Sequence, residues 1–405
     1  MKPTLKSSLY TALFVAFVDL IGVGLIYPLF SAMLFDNSLP LLPLETSHKM
    51  RGFWLGLLLA AGPFFQFFGA PIWGAFSDTK GRKKPLQISI VVALLGYIFA
   101  LMGVTFNSIM LLLFARAVIG FASGNMAIVQ ATIADISSPE EKAKNFGLFG
   151  MAHGAGFTLG PFFGSILSSY LGYNAPFQFA TLLVVLNLFF ALFAFKESHF
   201  MLIKRKLSWH IGLSHLKKAF HFVGLRSIFL CYFLHVFGWT FFFEFSPIYL
   251  IKNFGFSSTE IGLFYGTAGA FYALSTGFLI RPVVQRFKPR FVFFAGNLFT
   301  AIAIFCIIFL PSALWLWPLL CVICYFVAHV QPTAITIVSN AASSNIQGEA
   351  LGITSSLNAA AFVLSAAISG SFVGDNPSLS MNISSGFMLL SSLILLFTFR
   401  RRLFT

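Results

Sequence analysis

Gly74-Ala-Phe-Ser-Asp78-Thr-Lys-Gly81-Arg82-Lys83-Lys84 places one acid, four cations and two glycines between two long apolar runs that carry almost no charge. Gly81 permits a left-handed tight turn. Asp78 can meet a cation or a helix N-terminus, and Arg82 can bridge carboxylates. A short basic connection of this kind marks the cytoplasmic end of two membrane-crossing helices.

The rest of the chain has the same texture. Of 405 residues, 58% are hydrophobic and only 9% charged, and the mean hydropathy is +0.87. Soluble domains carry roughly 25% charged residues. Twelve apolar segments are expected to span a bilayer, near 9–35, 52–76, 85–105, 109–134, 146–170, 177–196, 227–251, 260–282, 291–311, 315–340, 350–372 and 384–399. The fold class that follows is an all-α integral membrane protein, with twelve transmembrane helices in two six-helix halves. The first run is long and lacks a small-residue cleavage site, so it is expected to be a retained span.

The net charge of +14 is topology and not a nucleic-acid footprint. With both termini inside, 22 of the 26 Lys and Arg fall on the cytoplasmic face; Lys49, Arg51 and Lys252 fall outside and Arg116 lies within a span. That bias is the positive-inside rule, and Trp54, Trp315 and Trp317 fall where outer-interface aromatics are expected. The spans divide the chain into residues 1–196, a linker 197–226 and residues 227–405. In the linker, Trp209, Leu213, Leu216, Phe220 and Val223 share one face, opposite His210, Lys217, Lys218 and His221. That pattern suits an amphipathic helix on the inner membrane surface.

Several chemistries have no residues to carry them. No Gly-Lys dipeptide occurs, which excludes a phosphate-binding loop, and no HExxH or GxSxG motif is present. The linker histidines lack metal-ligand spacing. Cys321-Val-Ile-Cys324 has no second ligand pair and suits packing. An enzyme, a cofactor and a metal site are therefore not expected. A membrane protein without a fuel site runs on gradients.

The motifs then point to a family. Gly74-x-x-x-Asp78-x-x-Gly81-Arg82-Lys83-x-x-Leu86 resembles the signature loop between spans 2 and 3 of the major facilitator superfamily. Arg116-x-x-x-Gly120-x-x-x-Gly124 resembles its span-4 motif, and Ala134 to Ala143, with Asp135, resembles its loop between spans 4 and 5. Gly156-x-x-x-Gly160-Pro161-x-x-Gly164 resembles the span-5 motif of its antiporters. Asp19-x-x-Gly22-x-Gly24-x-x-x-Pro28 resembles the drug exporters of the tetracycline-resistance type. Gln347-Gly348 and the basic segment Arg286 to Arg290 are weaker echoes in the second half. The resemblance implies alternating access and proton-coupled export of small amphipathic compounds. It also implies a bacterial inner membrane location and a working monomer whose partners are cargo, protons and lipid. An importer of a nutrient such as an amino acid or sugar is the alternative, and a non-transporting sensor or scaffold a more distant one. One departure stands out: where tetracycline exporters carry His and Gln in span 8, this chain has Tyr272 and Thr276.

Ionisable groups at membrane depth are costly, which makes each a functional candidate. Asp19 in span 1 and Arg116 in span 4 are expected to lie close together, either as a proton and cargo site or as a permanent ion pair. Glu244, one turn before Pro247 in span 7, is a second proton or cargo candidate or else an interfacial carboxylate. His235 and His329 are relay candidates or helix-to-helix hydrogen-bonders, and Tyr272 in span 8 is a further proton or cargo candidate. Asp78, Arg82 and Asp135 are expected to form a cytoplasmic latch, with Gly74, Gly81 and Lys83 shaping it. The stripe Gly156, Gly160, Gly164, bent at Pro161, is expected to form a tight seam between the halves.

Overall fold

The computed structural model describes residues 3–35, 41–198, 213–214, 217–219, 225–341, 347–373 and 376–403. Twelve long helical segments occur among them. They are α1 (Pro3–Phe35), α2 (His48–Lys80), α3 (Lys83–Thr105), α4 (Ile109–Ile136), α5 (Pro139–Leu171) and α6 (Asn174–Phe193). After the linker come α7 (Arg226–Phe254), α8, α9 (Pro289–Cys306), α10 (Leu316–Ala341), α11 (Gln347–Val373) and α12 (Ser378–Leu403). Helix α8 runs as Ser258–Leu274, passes through one π turn at Ser275–Leu279, and continues as Ile280–Arg286. Nine helices among the described residues are long and apolar enough to cross a membrane. Helix α11 adds a shorter apolar stretch, Gly352–Ile368. The three outside that count are α5 and α11, which Gly and Ser dilute, and α8, whose first run of 17 residues ends at the π turn.

Local chemistry sets the helix ends. Ser108 caps α4 by accepting from the Leu111 N–H. Ser257 and Glu260 form a capping box at α8. Pro289 opens α9, where its missing N–H costs nothing. Gly255 at φ +68° closes α7. The opening motif is less of a loop than its composition suggests. Residues Gly74 to Lys80 are the last two turns of α2, and the chain reverses at Gly81 (φ +84°) before α3 starts at Lys83.

The chain forms two compact units. One holds Met1–Glu45 and Ala61–Ile211; the other holds Thr46–Ala60 and Gly212–Thr405. Within the linker, residues 213–214 and 217–219 are helical. The remainder of the expected amphipathic helix, including Trp209, Leu216, Phe220 and Val223, lies outside the described residues.

The glycine stripe of α5 has a different partner from the one its spacing suggested. It packs inside the first unit, against α1. A methyl group on Gly160 would stand 2.7 Å from both the Gly24 Cα and the Ile21 carbonyl oxygen, and one on Gly156 would stand 2.5 Å from the Phe17 carbonyl oxygen. Those are backbone atoms, which cannot rotate away. Gly24 completes the fit from α1, where a methyl would meet the Pro161 ring at 2.8 Å. The seam is thus a helix-on-helix contact of backbone on backbone. Gly160→Ala is expected to cost about 1–3 kcal/mol through the forced separation of α1 and α5. Thermal unfolding of the purified protein measures this. Gly150→Ala and Gly154→Ala are the controls, because nothing lies within 4 Å of a methyl at either position. Equal melting temperatures for all three variants would refute the seam.

Candidate functional site

The densest polar cluster surrounds the α2–α3 turn. Arg82 is buried, and its Nη1 donates to Asp78 Oδ1 at 2.6 Å and to Ser77 Oγ at 2.7 Å. Its Nε donates to Asp135 Oδ2, near the end of α4, at 2.9 Å. One planar guanidinium therefore holds two helix ends in fixed register, which a lysine could not do. Burial alone would lower the Arg82 pKa, but the hydrogen bonds to Asp135 and Asp78 outweigh it and raise the pKa above its usual value. The group stays charged. Lys83 takes part through its backbone.

A residue that the sequence motifs did not single out completes the cluster. Glu197, just after α6, accepts from the Arg82 N–H (2.7 Å) and the Lys83 N–H (3.0 Å). A carboxylate on the open N–H groups of α3 satisfies donors the helix cannot and meets the positive end of its dipole. Gly81 makes room for it, since a methyl there would stand 2.5 Å from Glu197 Oε2. Ser8 anchors the same strand of chain by bonding the Lys196 backbone in both directions at 2.9 Å. Gly74 lies one turn before Asp78, facing Ala127 of α4.

Deeper in the first unit, Asp19 and Arg116 do not form the expected ion pair. The Arg116 guanidinium lies against the bare backbone of Gly62 and 5.8 Å from the Phe30 ring centre, a cation–π placement. The Asn125 amide lies beside the Asp19 carboxylate, yet no hydrogen bond closes between them. Asp19 Oδ2 and both polar atoms of Asn125 are buried with no partner among the described residues. Asn125 sits at the single 3₁₀ turn that interrupts α4 at Ser123–Asn125. Tyr97 of α3 lies within electrostatic reach of both Asp19 and Arg116, its hydroxyl packed on Gly22 one turn beyond Asp19. Unmet polar groups in a buried position are costly. Several here share one place, which is what a binding or proton-transfer centre requires.

In the second unit, Glu244 is buried among the helices. It is 2% exposed and accepts from Ser365 Oγ of α11 at 3.0 Å. Tyr265 of α8 donates to the Phe243 carbonyl beside it. His235 pairs with Asn297 of α9 at 2.8 Å and meets Phe293 edge-on, so it joins two helices. His329 turns its Nδ1 onto the Tyr325 carbonyl one turn back in α10. Tyr272 stands in α8 just before the π turn, near Tyr232 of α7, and its carbonyl accepts from Thr276 at 3.0 Å. The six candidates thus divide: Asp19 and Arg116 belong to the first unit, and Glu244, His235, His329 and Tyr272 to the second.

Comparisons with known proteins agree with this architecture. The model of the Major Facilitator Superfamily matches residues 12–220 and 228–403. Tetracycline resistance protein class C of Escherichia coli is 29% identical over 297 residues, covering 69% of this chain and 68% of that protein. The class G protein of Vibrio anguillarum is 26% identical over 87% of both chains. The quinolone resistance protein NorA of Staphylococcus aureus is 26% identical over 87% of this chain and 86% of its own. Among solved structures, the human organic anion transporter MFSD10 superposes with a TM-score of 0.72 at 22% identity, covering 98% of this chain and all of that one. A D-xylose–proton symporter gives 0.76 at 17% identity over 96% of each. At these identities the structures speak for the fold alone. Twelve helices in this order, the bridged α2–α3 turn and the match along both halves lead to one conclusion: the chain belongs to the major facilitator superfamily, and it is a multi-pass membrane transporter.

Proposed function

We propose that this protein is a proton-coupled antiporter that exports small amphipathic compounds by alternating access. It would act in the cytoplasmic membrane of a bacterium, as a monomer with both termini inside. The observation that carries the reading is Asp19, a membrane-depth carboxylate with a buried, unmet oxygen beside an equally unmet Asn125. Such a group gains a partner by taking up a proton or by binding a cargo donor, and it cannot do both at once. That competition is antiport. Glu244, buried on Ser365, is the second protonation site. Export in preference to import is favoured by the two resistance-named relatives that match 87% of this chain. Tyr272 and Thr276, in place of the His and Gln of tetracycline exporters, argue for a cargo other than tetracycline. The positive-inside distribution of Lys and Arg supports the orientation.

Inverted membrane vesicles test the proposal. With an acid interior imposed, addition of a transported compound is expected to release protons and to load the vesicles with that compound. Accumulation of one nutrient by whole cells, with no proton release by any amphipathic compound, would overturn it.

A further inference from the structure

The second unit carries a cleft that the transport reading does not use. It lies between α8, α9 and α10, has a volume of about 190 Å³, and is walled by Phe287, Phe291, Ala295, Phe299, Tyr325 and Phe326. An apolar cavity of ~150 Å³ is already large enough to take up benzene. Two polar side chains line it, Tyr325 and His329. His329 is 3% exposed, and its Nε2 is buried with no partner. Its tautomer follows from its other nitrogen. A carbonyl oxygen can only accept, so Nδ1, which meets the Tyr325 carbonyl, carries the proton. Nε2 is therefore an unmet lone-pair acceptor on a residue in the wall of an aromatic cleft.

A second recess of about 240 Å³ shares the walls Tyr325 and Phe326 and is also lined by Phe271, Leu279, Cys321 and Ser275. Ser275 opens the π turn of α8, and its hydroxyl is also buried without a partner. Such turns gather at functional positions. Each of two neighbouring apolar recesses thus has one residue with an unmet polar atom in its wall.

We propose that the His329 cleft binds a small, neutral, membrane-dissolved molecule with an apolar body and a hydroxyl, such as a phenol or a medium-chain alcohol, whose hydroxyl donates to His329 Nε2. A lipid acyl chain fills apolar space but has no donor, and it leaves Nε2 unmet. A cationic amine would find no carboxylate: the sequence has no Asp or Glu between Glu260 and Glu349, and an unpaired buried charge is disfavoured. A neutral hydroxyl satisfies both constraints. Glu244, in the same unit, lines neither recess.

Photolabelling of the full chain in phosphatidylcholine nanodiscs tests this. The probes are a diazirine-bearing octanol and its methyl ether, which has the same body but no donor. The alcohol is expected to give saturable adducts on Phe299, Tyr325 or Phe326. The ether should label these positions about fivefold less, the factor a single net hydrogen bond supplies. His329→Phe should reduce the alcohol's labelling to the ether's level. Ala295→Leu, which narrows the cleft and spares His329, should reduce labelling by both probes and stands in should His329→Phe not fold. Equal labelling by alcohol and ether, or labelling unchanged in the Ala295→Leu protein, overturns the proposal. The readout needs no transport, so a negative result leaves the efflux reading intact.

Discussion

Asp19→Asn is expected to abolish pH-driven transport while leaving membrane insertion and the fold in place. Asn has nearly the shape of Asp, so the packing of α1 is kept; what is lost is a group that can exist with and without a proton. Antiport is a coupling free energy between two ligands. Couplings of this sort are typically about 1–3 kcal/mol, or ~5–150-fold in affinity. Without the titrating group that factor falls to one. Proton release on cargo addition should vanish in vesicles, whereas exchange of labelled for unlabelled cargo at equal pH should continue. Asp19→Glu should keep part of the pH-driven rate, because the carboxylate remains although its longer arm misplaces it. Asn125→Ala serves as the companion, because it empties the space beside Asp19 Oδ2 without removing the acid. A full pH-driven rate in Asp19→Asn would end the role assigned to this residue.

The sequence was informative about some parts of this arrangement and silent about others, for physical reasons. Long apolar runs state their own structure, since backbone groups in lipid must be paired internally and a run of about 20 apolar residues does so as a helix. The turn at Gly81 and the cations after it are local facts. So is the Asp78–Arg82 pair, one helical turn apart. Contacts between distant helices are not local. Glu197 lies 115 residues from the Arg82 backbone it caps, and nothing around Glu197 announces that partner. The small-residue stripe of α5 revealed that a helix packs closely there but not which one; the answer lay in Gly24 of α1. Tyr97 and Asn125 look like ordinary span residues until Asp19 is placed beside them. A permanent ion pair with Arg116 was one of two readings of Asp19. The preference of Arg116 for Gly62 and Phe30 depends on the side-to-side placement of α1, α2 and α4, which hydrophobic periodicity does not encode. Glu244 was ambiguous because a boundary error of a few residues decides whether a carboxylate is buried or interfacial.

Arg82→Leu is the second large effect to expect, and it acts on the cycle, not on cargo recognition. In the wild-type chain one buried guanidinium joins α2 to α4 through Asp78 and Asp135. Each charge-assisted bond is worth roughly 1.5–3 kcal/mol when buried. The two carboxylates are about one-fifth exposed, at 21% and 23%, so solvent screening lowers the total. A loss of about 2 kcal/mol remains, close to thirtyfold in a conformational equilibrium. Leu also removes the cation that bridges two neighbouring carboxylates, which adds repulsion. If the cluster latches one of the two access states, that state loses the full amount and the other loses none, so turnover falls while cargo affinity in each state is kept. Arg82→Lys should recover the charge but not the fork, and should lie between Leu and wild type. Asp78→Lys should approach Leu, because it places two cations together and removes the Asp78 arm of the bridge. Glu197→Gln is the discriminating control. It weakens the cap on α3 without touching either ion pair, so it should lower thermal stability with little change in turnover. Transport rates normalised to the amount of inserted protein decide the matter. Wild-type turnover in both Arg82→Leu and Asp78→Lys would mean that the cluster only ties helix ends together and gates nothing.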